Sequence, residues 1–453
     1  MSRFVLYCFL AGVLVAAASR SITAQPLSTP PATSVRPSPG EKTDSFLVSL
    51  LRSQASPALR RILDRPDSFR FQVIYTRIDR DGHNQPHFNN YYYRVNPLEY
   101  FNPASTVKLP LSLLALEKME SLHRYGVDKF TPMLTDSAYS GQTTAHSDSS
   151  AADGLPSLAQ YIKKIFLVSD NDAYNRLYEF LGQQYLNERL WQLGYPDIRI
   201  TRRFFPMNED ENRHTNPIRF VRSTGVGKNG QPGDHTGTGP LLYKQSPGFS
   251  HVLFDFSHPV FLGNAYLDRH DSLIHEPMDF TRHNNLPLED LQQLLQSVLF
   301  PKSMPPARRF HLLPDDYRFL YRYMSQFPRE ETHPHYDTAE YFDSYTKFFL
   351  FKAGKTPIPS YIRVFNKPGW SYGFLTDVAY IADFKNKVEF MLSAVIYVNS
   401  DGVLNDDKYD YDEIGYPFFK EIGDIIYRYE RDRPRKFRPD LAKFVLSYAP
   451  GDF

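Results

Sequence analysis

Two runs of alternating apolar and polar residues, Phe69–Ile78 and Phe88–Val95, flank an Asp81-Gly82 turn and predict a β-hairpin with a long loop. The period then changes. From Ser105 to about His123, apolar residues at Val107, Leu109, Leu111, Leu113, Leu114, Leu116 and Met119 leave almost no polar face, the pattern of a helix buried all round. Pro110 falls near its first turn and is expected to kink it. Leu158 to Trp191 reads as helical, punctuated by Gly182 and Gly194. Residues 221–240 form a Gly-rich loop, and residues 241–285 are aromatic and irregular. Helical patterns return at Leu288–Leu299 and Asp315–Met324. Three strand-like runs follow at Tyr361–Phe365, Phe374–Asp383 and Val388–Val398, and a last helix covers Ile414–Tyr429. A hairpin at one end and three strands at the other predict one sheet, assembled from both ends of the chain around a helical middle.

The termini add compartment to this picture. Arg3, the apolar run Phe4–Ala18 and the small-residue site Ile22-Thr23-Ala24 read as a signal peptide over residues 1–24. The run is short for a membrane span, so the mature chain is expected without a stable one. Export to a bacterial periplasm or the medium follows. Residues 25–44 are rich in Pro, Ser and Thr and read as a flexible linker. Cys8, the sole cysteine, lies inside the signal peptide. The mature chain therefore has no disulfide, no thiolate metal site and no cysteine nucleophile. Residues 431–453 open on the basic run RDRPRKFRP and read as a solvated tail. The 453 residues suffice for a large core. With 52 basic against 51 acidic residues, the chain carries no electrostatic footprint for nucleic acid.

Chemistry enters through three short segments. Ser105 and Lys108, in YFNPASTVKLP, stand three apart and share a helix face. A serine hydroxyl needs a base to become a nucleophile, and a lysine buried beside this apolar helix loses charge stabilisation and becomes one. The second segment is Ser169-Asp170-Asn171, where Ser169 is placed to relay a proton to a leaving nitrogen and Asn171 to hold a substrate amide. In the third, Lys367 offers a fixed cation, Gly369 admits a close backbone, and the Trp370 N–H is a candidate oxyanion donor. Each segment alone reads as ordinary structure: a helix start, a helix cap and a Pro-Gly turn. Ser344-Tyr345-Thr346-Lys347 repeats the first spacing with no partners after it.

Taken in order, S-x-x-K, S-D-N and K-x-G resemble the class A β-lactamase and penicillin-binding serine hydrolase family. The resemblance spans roughly residues 45–220 and 285–430. It implies an α+β domain over residues 45–430, a five-stranded antiparallel sheet flanked by helices with an all-α subdomain. Insertions fall at about 221–285 and 300–345. It also implies that Ser105 is acylated, that Lys108 and Ser169 handle protons, that Asn171 orients substrate, and that Lys367 binds its carboxylate. The implied activity is β-lactam hydrolysis through an acyl-Ser105 intermediate, with antibiotic resistance as its consequence. The implied partner is a small β-lactam or cell-wall peptide, taken by a monomer with no cofactor.

Two departures shift that expectation. Pro368 stands where the family usually has Thr or Ser, and Ser371 is the nearby hydroxyl. The loop ITRRFFPMNEDENRHTNP matches the family's Ω-loop at both ends but carries no clear deacylating carboxylate. Counting from Thr201-Arg202 places that position on Met207, which leaves Glu209 as the candidate base and Glu211 beside it. Without the base an acyl-enzyme persists, which is the behaviour of a penicillin-binding D-Ala-D-Ala carboxypeptidase or transpeptidase. A degenerate member acting as a binding protein is the non-enzymatic alternative. The GVGKNG loop lacks phosphate-loop spacing, the histidines lack an HExxH pattern, and DDKYDYDEIG misses the calcium-loop pattern.

Overall fold

The computed structural model describes residues 40–223 and 239–449. The expected signal peptide, most of the expected linker and most of the Gly-rich loop lie outside the described residues. Five strands form the main sheet: β1 (Gln72–Arg80), β2 (Pro86–Tyr93), β3 (Ile362–Ser371), β4 (Phe374–Asp383) and β5 (Val388–Tyr397). Their order is β3-β4-β5-β1-β2, antiparallel throughout, so the hairpin from one end of the chain pairs with the three strands from the other. Gln72 sits opposite Val395, which joins the two halves. β4, flanked on both sides, is buried along its whole length.

Successive side chains of a strand point to opposite faces, and both faces of this sheet are covered. Val364, Leu375, Leu392 and Tyr75 join a core with helix α1 (Ser45–Gln54) and the C-terminal helix. Phe365, Val378, Tyr380 and Met391 join a larger core with the helical middle of the chain. In that middle lie α2 (Lys108–Glu120), α3 (Leu158–Val168), α4 (Asn171–Leu181), α5 (Gln183–Gln192), α6 (Leu288–Leu299) and α7 (Pro314–Ser325). α8 (Tyr416–Asp432) closes the other face.

The structure departs from the sequence pattern at four places. The helical stretch from Leu158 breaks at Gly182, as its sequence implies, and also at Ser169; the two residues take positive φ of 77° and 61°, which leaves three helices. Ser157 caps α3 by accepting the Gln160 N–H, a contact worth about 1 kcal/mol. β3 does not stop at Phe365 but runs through Lys367-Pro368-Gly369 to Ser371. It is the sheet's edge strand, where a proline's missing N–H leaves no ladder bond unmade. The expected linker ends before residue 42, because Lys42 exchanges both backbone bonds with Val95 and Asp44 is bonded to Tyr92. The C-terminal segment is not a solvated tail. Between its basic residues, Leu441 and Phe444 are fully buried in the larger core, with Phe444 against Tyr380 and Phe365.

Residues 239–285 wrap the outside of the loop after Gly194. Arg199 and Asn285 exchange backbone bonds, Thr201 donates to the Arg282 carbonyl, and Arg213 donates to the Ser250 carbonyl. Among the described residues no helix is long and apolar enough to cross a membrane.

Candidate active site

The chain enters the site through a 3₁₀ turn, Ala104–Val107, that runs directly into α2. Asn102 Oδ1 accepts the Ala104 N–H at 2.8 Å, and the Thr106 hydroxyl donates to the Pro103 carbonyl at 2.6 Å. These bonds hold Ala104 at φ 45°, left-handed backbone that a residue with a Cβ adopts only at a cost. Ser105 follows, half-buried, while Thr106, Val107 and Lys108 are buried. Pro110 sits within the first turn of α2 and does not interrupt the helix.

Lys108 is fully buried, and its Nζ lies 2.8 Å from Ser105 Oγ. The same nitrogen donates to the Ser169 carbonyl at 2.5 Å and to Asn171 Oδ1 at 2.7 Å, with Ser169 Oγ at 3.3 Å. Burial pulls its pKa down to about 7, against a smaller opposing pull from Asp170. The amine that faces the serine therefore exchanges a proton near neutrality. Ser169 reaches it because its left-handed backbone ends α3, and Asp170 then caps α4 by accepting the Ala173 N–H at 2.7 Å. Asn171, the first residue of α4, is exposed.

Lys367 comes from β3, fully buried, and donates to Ser169 Oγ at 2.9 Å and to the Pro368 carbonyl at 2.7 Å. Its pKa is held well below the ordinary lysine value, first by burial and then by the neighbouring Lys108. The Ser169 hydroxyl thus lies between two buried amines. Gly369 explains how the edge strand comes so close. A Cβ there would sit 2.8 Å from both the Pro103 carbonyl oxygen and the Ser105 nitrogen, inside any real contact. Trp370 follows, half-buried, at the end of the same strand. Ser105, Lys108, Ser169, Asn171 and Lys367 are joined by these hydrogen bonds, and Gly369 packs on the serine's own turn.

The loop base is another matter. Glu209 opens the short helix Glu209–Arg213, half-exposed, and its carboxylate pairs with Arg282 at 2.6 Å and Arg213 at 3.6 Å. Glu211 caps that helix through Asn208 and accepts from Ser140. Neither carboxylate bonds to the Ser105 cluster. Met207, where counting along the loop places the base, contacts Arg203 through its sulfur. The loop residue that faces Lys108 is Phe204, whose ring centroid lies 5.2 Å from the ammonium. Its N–H is held by Asn175 Oδ1 at 2.8 Å and its ring stacks on Tyr174 at 4.3 Å. The loop turns inward sooner than counting implies, because Thr201, Arg203 and Phe204 are each tied by their N–H to a buried asparagine. Asn175 and Phe204 were not singled out from the sequence. An aromatic pair beside Arg203 was the available signal.

The second Ser-x-x-Lys spacing has no such geometry. The Ser344 hydroxyl donates to the Phe351 carbonyl, and Lys347 donates to the Met324 carbonyl and Asn366 Oδ1, all within the core.

Part of the chain is similar to known proteins. Residues 73–224, which carry Ser105, Lys108, Ser169, Asn171 and Phe204, match the model of the beta-lactamase enzyme family. No curated protein matches the chain by sequence. Similar solved structures include a beta-lactamase from Sphaerobacter thermophilus, 14% identical, covering 85% of this chain and 98% of that one, with a TM-score of 0.43. A beta-lactamase from Burkholderia phymatum is 15% identical, covering 83% and 99%, with a TM-score of 0.44. A reconstructed ancestral class A beta-lactamase is 15% identical, covering 82% and 99%, with a TM-score of 0.42. Over residues 73–224, about a third of its length and the part that carries Ser105, Lys108, Ser169 and Asn171, the chain is similar to the beta-lactamase enzyme family.

Proposed function

We propose that the protein is an exported serine hydrolase that opens a β-lactam or related amide through an acyl-Ser105 intermediate. One observation carries this reading: a fully buried lysine with a pKa of about 7 lies 2.8 Å from the serine hydroxyl. Neutral Lys108 takes the hydroxyl proton as Ser105 Oγ attacks the carbonyl carbon. The backbone N–H groups of Ser105 and Trp370 face the developing oxyanion. As the amide C–N bond breaks, the proton passes from Lys108 through the Ser169 hydroxyl to the leaving nitrogen. Asn171 holds the acyl-side amide and Lys367 the substrate carboxylate, whose charge offsets the cost of protonating a buried amine.

A second reading concerns release. Phe204 covers Lys108 from the loop where a deacylating carboxylate is expected, and Glu209 is engaged with Arg282. A benzyl group cannot activate water. This favours slow turnover, as in a penicillin-binding enzyme acting on cell-wall peptides. Incubating the purified protein with a chromogenic cephalosporin, followed by colour and intact mass, tests both readings. The expected result is a mass adduct on Ser105 that is absent in Ser105→Ala. Colour in one equivalent with a lasting adduct supports slow release, and continuous colour supports hydrolysis. No adduct and no colour with several β-lactams overturns both.

A further inference from the structure

The segment before β3 supplies a row of rings that the chemistry above does not use. Tyr336 and Tyr341 have centroids 5.3 Å apart, Tyr341 and Tyr345 5.0 Å, and Tyr345 and Trp370 6.1 Å. The two ends of the row rest on two different motifs. At one end stands Asp170, whose charge reaches both phenols. Tyr336 is pushed up mainly by burial and then by Asp170; Tyr341 rises to about 12 mainly through Glu340, with Asp170 adding to it. At the other end Trp370 directly follows Gly369, the residue pressed against the serine's turn.

The row therefore runs from Asp170 round the edge strand β3 to Trp370, whose ring also lies 5.9 Å from that of Phe348. Asp170 follows Ser169, and the Ser169 hydroxyl takes the Lys367 hydrogen bond. Under the proposed function, Lys367 receives the substrate carboxylate, which a β-lactam carries on the half that leaves with the amide nitrogen. Asn171 takes the acyl half. Tyr341, Tyr345 and Trp370 are each half-buried, so part of every ring is open. They are also held in place. Lys352 Nζ lies 4.6 Å from the Tyr345 centroid and 6.0 Å from that of Trp370, and it donates to the Tyr345 carbonyl at 2.8 Å. Fixed rings lose little freedom when a ligand stacks on them. Further in, the Tyr336 hydroxyl is buried with no partner, a polar group left for a ligand or water to satisfy.

We propose that Tyr341, Tyr345 and Trp370 form a stacking subsite for a planar aromatic substituent on the carboxylate-bearing, leaving half of the substrate. The inference rests on the acyl-Ser105 reading and adds the substrate class to it. Offset or edge-on ring pairs gain attraction beyond the area they bury, and an alkyl group in the same place does not.

Two cephalosporins with the same acyl side chain, one bearing a styryl and one a methyl group next to the carboxylate carbon, test it. The second-order constant for Ser105 adduct formation is measured for each, and their ratio is compared between wild type and variants. Intrinsic reactivity cancels in that comparison. The expected result is a fall in the styryl-to-methyl ratio of about three- to ten-fold in Tyr341→Ala and in Tyr345→Ala, with Tyr345→Phe retaining the wild-type ratio. Tyr341, the less enclosed ring, keeps the test available should Tyr345→Ala fail to fold. An unchanged ratio in folded Tyr341→Ala and Tyr345→Leu overturns the subsite and leaves the acyl-enzyme chemistry standing. Failure of both cephalosporins to form an adduct with wild type overturns that chemistry, and the subsite with it.

Discussion

At the scale of single residues, the site is an arrangement of amines removed from water. Lys108 sits at about 7, first because it is buried, and Lys367 lies well below its ordinary value for the same reason with Lys108 adding to it. A lysine base works only when neutral, so the sign is fixed: the acylation rate rises with pH as Lys108 loses its proton and falls below about 7. A pH series of adduct formation measured by intact mass checks this. A rate flat from pH 5.5 to 9, on the order of the window a shifted lysine spans, would remove Lys108 from the base role. Ser105 and Lys108 were legible because a spacing of three on a helix puts both side chains on one face, whereas Ser169, Asn171 and Lys367 were legible only through the order of motifs that resembles the family. Glu209, the nearest carboxylate to the counted position Met207, pairs with Arg282 and Arg213; loops have no period, and counting along one gives no direction. The asparagines that turn this loop inward, Asn175, Asn212 and Asn284, come from distant places in the chain.

At the scale of elements, the close approach of β3 to the Ala104–Val107 turn carries the geometry. A methyl group at residue 369 would meet two backbone atoms at 2.8 Å, and backbone on both sides has nowhere to go. Gly369→Ala is therefore expected to push β3 off the turn, costing about 1–3 kcal/mol of stability. Adduct formation should slow by at least about ten-fold, since catalytic groups displaced by an ångström lose that much. Urea midpoints and adduct rates on the same preparation measure both, and full activity at wild-type stability would refute the packing argument. The hydrophobic alternation showed this strand only as far as Phe365. Pro368-Gly369 looks like a turn in isolation, and only its place at the sheet's edge allows the strand to pass through it. The break after α3 showed in the sequence only as a helix cap at Ser169-Asp170-Asn171, since Ser169, a non-glycine residue, gives no sign of the left-handed backbone it takes.

At the scale of the whole molecule, the hairpin, the helical middle and the three late strands were legible in the sequence, and so was the joining of both chain ends in one sheet. The end of the chain did not. Its basic residues masked Leu441 and Phe444, which fill the core against Tyr380, Phe365 and Phe300. Truncation after Asp432 removes both side chains and leaves a cavity beside β3 and β4. By the usual cost of emptying two buried apolar sites it should destabilise the protein by at least about 4 kcal/mol. A urea titration checks this, and a midpoint unchanged from wild type would return the segment to the status of a tail.

The pairing of Gln72 with Val395 has a kinetic side as well. A ribosome releases Ser105, Lys108, Ser169 and Asn171 well before it releases β3, β4 and β5. Until then β1 has a bare edge, and the serine's turn has no Gly369 against it. Closing so long a loop is slow, because its entropy is lost before the sheet contacts form. An incomplete chain would thus hold the nucleophile and its base without the strand that completes them. Competence for catalysis should appear only in the last cooperative step of folding.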